Sequence, residues 1–273
     1  MKFLFGVTLS CYLLGMAKYF LYLTIRRKIL FIIATVFIAA GFVFHTGILV
    51  LRSIETGHGP YTTTFEYYTF FSWAIVLVYL VAEVRYKIKD LGSFVIPIAF
   101  ISLAYAVFQS WHTETTEPVI RFWLTIHRTL SFIGYAALTL TFGVGIMYII
   151  QEKQLKSKHL GAFYYRLPSL EVLDDINKKA VDVGFPLITF GFISGIIWAW
   201  QRDGYFSLDF KRTILMIITW TIYGTLLVIS CMSCYEHHRF RCKSQDSTCR
   251  DQGEVSLWRK TCRGIIECPP KIP

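Results

Sequence analysis

Charge is scarce in this chain. Asp, Glu, Lys and Arg make up 17% of its 273 residues, against about 25% in an average soluble protein. The signatures of soluble catalysis are missing too. There is no Walker loop, no G-x-G-x-x-G, no H-E-x-x-H and no G-x-S-x-G, which removes the common nucleotide-binding, zinc-protease and serine-hydrolase readings. No tandem repeat or low-complexity tract occurs, so solenoid and disordered classes drop out. No paired carboxylates sit in an apolar stretch as a proton pump would need. Glu66 and Glu83 stand singly, near the outer and inner ends of one stretch, and read as interfacial. Cysteine is almost absent before Ser230: of seven, only Cys11 precedes it, and Cys231, Cys234, Cys242, Cys249, Cys262 and Cys268 follow. That distribution excludes a secreted disulfide scaffold.

What is present is apolar. The set AVILMFWYC makes up 54% of the chain and mean hydropathy is +0.48. A soluble protein of this size could not bury that much apolar surface, so the solvent is lipid. Seven apolar runs of 20 or more residues carry it: 3–23, 29–51, 62–84, 91–110, 128–150, 181–200 and 213–235. The predicted fold is an all-α polytopic membrane bundle of about seven transmembrane helices. The organisation is a membrane domain over 1–240 and a short Cys/Lys/Arg-rich tail over 241–273. Lys2 and the Phe/Leu-rich stretch after it imitate a signal peptide, with Gly15-Met16-Ala17 as a weak cleavage site. The apolar pattern runs on past Lys18 to Ile25, which favours a retained helix.

A net charge of +10 invites a nucleic-acid partner, but its placement speaks against one. Alternate loops hold the excess: Arg26, Arg27 and Lys28; Arg85, Lys87 and Lys89; six bases over 151–180; and eight from Glu236 onward, together 20 of 28 Lys+Arg. The other loops hold few, Arg52, Lys211 and Arg212 among them. The positive-inside rule then puts the N-terminus outside and the tail in the cytoplasm. The bilayer alone explains the charge. Segment 111–127 lies outside, and Val119, Ile120, Trp123, Leu124 and Ile126 give it the pattern of a short amphipathic helix on the outer surface.

Seven histidines occur, and two lie toward the outer leaflet. His45 sits about seven residues (~10 Å) inside the second run. His127 stands where the outer segment enters the fifth run. A neutral imidazole is a good haem-iron ligand; a histidine hydrogen-bonded to a neighbouring helix is the plainer alternative. Trp111, Trp123, Trp198, Trp200, Tyr205 and Phe206 gather at the same face. They could stack on a flat macrocycle or form the interfacial belt of any polytopic protein.

One segment bears on that choice. Residues 167–199 contain Leu167-Pro168-Ser169-Leu170, Leu173-Asp174, Gly184-Phe185-Pro186-Leu187, Thr189, Gly191, Gly195 and Trp198-Ala199. Gly204, Asp209, Lys211 and Thr213 follow, then Trp220-Thr221-Ile222-Tyr223. Upstream stand Trp123-Leu124-Thr125-Ile126-His127 and Gly57-His58-Gly59-Pro60 with Phe65-Glu66. This pattern resembles the cytochrome c assembly family, the CcsA/ResC/CcmC haem-handling membrane proteins and their HemX-type relatives, over roughly residues 40–240. The resemblance implies haem, bound non-covalently (b-type) as substrate or transient ligand. It would be presented outside the bacterial inner membrane for attachment to apocytochromes c, alongside a partner assembly subunit. It also implies that His127 is the histidine preceding the external tryptophan-rich loop, and that Trp198, Gly204 and Asp209 belong to that loop, with Phe206 in a tryptophan position and Lys211 close by.

The chain departs from the family's pattern. Asp203, Phe206 and Leu208 replace tryptophans, Phe210 replaces a proline, Val228 replaces a histidine carried by some members, and no second external histidine follows. His45, at similar depth to His127, is the substitute iron ligand from this chain's own residues. Cys231-x-x-Cys234 has metal-ligand spacing without a second pair. The change of composition after Arg241 reads more plainly as an unrelated end replacing the family's last span. Two functions follow: a haem-handling assembly factor, with or without lyase activity in a complex, and a non-catalytic HemX-like regulator or scaffold of tetrapyrrole synthesis. Absence of repeats disfavours a transporter.

The charge asymmetry makes a topological prediction. Alkaline phosphatase fused at the C-terminus is expected to be inactive and fused after Trp111 active; the reverse pattern would invert the orientation.

Overall fold

The computed structural model describes residues 1–109, 121–157, 167–203, 214 and 216–228. The described chain forms five long helices and two shorter ones, and none of its residues forms a strand: α1 (Lys2–Ile25), α2 (Lys28–Thr56), α3 (Thr64–Tyr86), α4 (Gly92–Ala106), α5 (Arg121–Lys156), α6 (Leu170–Asp203) and α7 (Met216–Val228). Five helices are long and apolar enough to cross a bilayer; α4 and α7 are shorter apolar helices. The protein is an all-α polytopic membrane bundle.

Helix ends follow local chemistry. α1, α2 and α3 each stop at a left-handed residue, Arg26, Gly57 and Lys87, whose amide bonds back to the last turn. α3 starts at a capping box: Thr63 accepts from the Glu66 amide while the Glu66 carboxylate accepts from the Thr63 amide, satisfying two donors that would otherwise be orphaned. α5 is 36 residues long, about 54 Å, well over the ~30 Å hydrocarbon core. It begins at Arg121, so the second half of the predicted surface helix is its first two turns; residues 110–120 lie outside the described chain. α6 likewise starts at Leu170, eleven residues before its apolar run. Both extensions carry i,i+4 ion pairs, Glu152–Lys156, Asp174–Lys178 and Asp175–Lys179, which keep polar turns helical. α4 ends at Ala106, four residues short of its apolar run.

Packing divides the bundle into two parts. α1 and α2 pair closely, with Gly41 directly under the Tyr12 ring, and α3 with α4 complete an amino-terminal group. α5 and α6 form the most extensive pair. Phe132 of α5 joins the two parts by meeting Tyr67, Phe70 and Phe71 of α3 at centroid distances of 5.9, 5.4 and 6.1 Å. Buried hydroxyls bond to backbone across helices: Ser72 to the Ala99 carbonyl and Ser102 to the Tyr68 carbonyl, at 2.8 and 3.0 Å. Such bonds hold lipid-embedded helices where the hydrophobic effect cannot.

Two polar networks differ from expectation. Glu66 and Glu83 are buried, at 1% and 8% exposure, not interfacial. Glu83 accepts from Thr35 at 2.9 Å, beside a Tyr19–Tyr79 hydroxyl pair at 2.6 Å. Glu66 pairs with Arg52, Nε to Oε1 at 2.8 Å. Arg52 is itself 8% exposed and is therefore no loop charge, because α2 continues past it to Thr56.

Removing one member of a buried pair strands the other charge, typically at about 3–5 kcal/mol. Arg52→Met is thus expected to lower the thermal midpoint in detergent sharply. Arg52→Met/Glu66→Gln should recover much of the loss, since glutamine carries no charge and can still cap α3. Equal midpoints for the single variant and wild type would contradict the pairing.

Candidate functional site

The site is built at the end of the bundle where α2 finishes and α3 and α5 begin. His127 lies in the second turn of α5 and faces α6. Its Nδ1 is 2.6 Å from the Gly191 carbonyl oxygen. A carbonyl can only accept, so Nδ1 carries the proton, and Nε2 of the neutral ring is left with its lone pair. This is the arrangement that orients an imidazole for a metal. The close approach depends on Gly195. A Cβ there would stand 2.6 Å from Nδ1 and 2.7 Å from Cε1 of His127, so any side chain would displace the ring. Gly184 and Gly191 continue the stripe along α6 toward Ala137 and Ser131 of α5, the small-residue packing that lets membrane helices touch. Trp198 stands one turn beyond Gly195, partly buried.

Tyr61 approaches α5 from the other side. Its hydroxyl bonds to Thr125, and its carbonyl accepts from the Arg128 guanidinium, which also lies 4.9 Å from the Tyr67 ring centroid. His127 thus sits between two residues tied to the 57–63 loop.

The other predicted ligand lies elsewhere. His45 is fully buried, with Nδ1 3.1 Å from the Tyr12 hydroxyl. Its Nε2 has no partner of normal geometry, and the Thr69 backbone lies near the ring. His45 therefore belongs to the α1–α2–α3 contact and His127 to the α5–α6 contact. Gly204, Phe206, Asp209 and Lys211 lie outside the described residues, as do Trp111, Cys231, Cys234 and the tail. Among the described residues no group of three His, Cys, Asp or Glu could hold a metal ion, so a metal centre with all-protein ligation has no support there. A ligand that brings its own equatorial donors, as a macrocycle does, needs only an axial imidazole.

Known proteins resemble the stretch of chain that carries these residues. A family described as cytochrome C assembly protein matches residues 61–244, the stretch from Tyr61 through α3 to α6 and beyond. This chain belongs to the cytochrome c assembly family. A cytochrome c biogenesis protein CcsA from Mesostigma viride is 28% identical over 206 residues, 66% of this chain and 67% of that protein. The CcsA of Synechococcus sp. (strain CC9311) is 27% identical over 227 residues, 71% of this chain and 74% of its own length. A protein HemX from Brevibacillus brevis is also 27% identical, over 205 residues, 74% and 73%.

Nothing in the sequence singles out Arg52, Tyr61 or Arg128, and Arg52 reads there as a loop charge. A signal was present, since Thr63-x-x-Glu66 has capping-box spacing; nothing in the sequence tied it to Arg52.

Gly195→Ala is expected to push the His127 ring off the Gly191 carbonyl, at about 1–3 kcal/mol, seen as a lower unfolding midpoint in detergent. His127→Ala added to Gly195→Ala should recover part of that loss. A midpoint unchanged by Gly195→Ala would show that the ring does not rest there.

Proposed function

We propose that this protein handles haem in cytochrome c biogenesis, receiving it in the membrane and presenting it at the outer face for attachment to apocytochromes c, together with a partner assembly subunit. The observation that carries the reading is His127. It is held on the Gly191 carbonyl in the tautomer that leaves Nε2 for iron, at the position the resemblance gives to an axial ligand. Family membership and the CcsA relatives support the same role. Haem is the cargo and brings the iron porphyrin to be attached. The protein's residues supply an axial nitrogen, aromatic surface and charge. In this reading Trp198 would supply apolar surface, and residues 204–211 would correspond to the family's tryptophan-rich loop, with Phe206 in place of an indole. The charges of Asp209 and Lys211 would suit orienting that loop and meeting the propionates. Aromatic side chains bury about 150–250 Å² each, so exchanging indoles for Phe206 and Leu208 loosens the grip without abolishing it. The charge asymmetry of the loops supports an outward orientation for this end of the bundle, in the bacterial inner membrane that the reading implies.

A second reading has its own support. The missing second external histidine, the altered tryptophan positions and the likeness to a HemX protein favour a non-catalytic regulator or scaffold of tetrapyrrole synthesis.

Purification in detergent separates the two. A haem handler is expected to retain a Soret band that His127→Ala reduces at least several-fold, that Leu208→Trp strengthens and that Lys211→Glu weakens, with membrane insertion unchanged. Wild-type protein free of haem, and binding none when haem is added, would leave the regulator reading in its place.

A further inference from the structure

The His127 ring touches α6, yet the groups that fix α5 at this point come from the amino-terminal part of the chain. Thr125 and Arg128 straddle His127 in sequence and lie on one face of α5, about 60° apart around the helix, while His127 lies about 160° from Thr125 and about 100° from Arg128. Both are held by one residue: the Tyr61 hydroxyl bonds to Thr125, and the Tyr61 carbonyl accepts from Arg128. Tyr61 has little freedom of its own. It is 7% exposed, its amide bonds to the Gly59 carbonyl at 2.8 Å, and its ring meets Phe70 edge-on at 6.3 Å. The next two residues are anchored on a single oxygen. Glu66 Oε2 accepts from the Thr62 amide at 2.8 Å, the Thr62 hydroxyl at 2.8 Å and the Thr63 amide at 3.2 Å, while Arg52 holds Oε1.

We propose that Tyr61, set by the Arg52–Glu66 pair, is a positioning residue for His127: it fixes the rotation of α5 about its own axis, and hence where Nε2 meets the iron. A side-chain tip lies about 5–6 Å from a helix axis, so a 20° rotation moves it by roughly 2 Å. A binding constellation tolerates about 0.5 Å. Two attachments on the face away from α6, with the Gly191 carbonyl on the other side, are what oppose that rotation. The inference rests on the haem reading of His127.

The test uses full-length protein in detergent, with haem retention measured by the Soret band and by the rate of transfer to excess apomyoglobin. Tyr61→Phe keeps the ring and the Arg128 contact but removes the hydroxyl. It is expected to release haem about threefold to tenfold faster, the effect of one lost hydrogen bond. Glu66→Gln should act in the same direction. Added imidazole should restore the wild-type Soret band in both variants, because a free ligand replaces a misplaced ring; lost stability alone would not be rescued in this way. A wild-type release rate in Tyr61→Phe overturns the proposal, and so does a faster rate that imidazole leaves unchanged. Where Glu66→Gln fails to fold, Tyr61→Phe decides, since it leaves the ion pair intact. Haem bound by wild type and unaffected by His127→Ala would remove the iron ligand that Tyr61 is said to place. Wild type without haem removes the haem reading as well, so the two failures are told apart by the wild-type protein.

Discussion

A carboxylate buried among membrane helices must find a cation and enough donors to replace its water, and Glu66 finds both. Arg52 reaches it from the last turns of α2, and the Thr62 and Thr63 amides reach it from the chain that enters α3. One side chain therefore closes the α2–α3 connection, caps α3 and fixes Tyr61. Tyr61 then holds the start of α5, where His127 stands. The geometry of the site passes through a charge pair belonging to neither helix of the site.

The bundle itself was legible. Apolar runs of bilayer length have few other structural outcomes, because every backbone polar group in lipid must be satisfied within a helix. Element ends were less legible for a physical reason: hydropathy marks where lipid ends, not where hydrogen bonding ends. α5 and α6 continue as polar, ion-paired helix beyond their apolar runs, and no hydropathy window detects that. α4 errs the other way and stops at Ala106 inside an apolar stretch.

At the site, the histidine was easier to read than its surroundings. His127 stood out because an imidazole in an apolar context is uncommon and because of the motif it ends. Its partners are a backbone carbonyl and a glycine, and neither advertises a contact in sequence. Arg52 and Glu66 misled through a counting rule, since charges near span ends are ordinarily solvated and setting orientation is their ordinary role. Burial reverses the meaning of both. His45 shows the same limit, for depth along a helix says nothing of which neighbour a side chain faces. It turns to Tyr12 and the α1–α2–α3 contact.

The two histidines mark a division of labour in the fold. The α1–α4 group spends its polar residues on itself: Tyr12 on His45, Thr35 on Glu83, Tyr19 on Tyr79. Those bonds cross helices and stiffen the group against lipid, which offers no competing partners. The α5–α6 pair carries small residues instead, and its close approach brings a backbone carbonyl, not a side chain, to His127. A backbone carbonyl in mid-helix is fixed by the helix and contributes no side-chain motion. A ligand imidazole resting on it inherits the rigidity of α6, while Tyr61 conveys that of the amino-terminal group. On the haem reading proposed above, placement of the nitrogen therefore rests with Gly191 and Tyr61, separate from the positions where Phe206 and Leu208 stand in place of tryptophans.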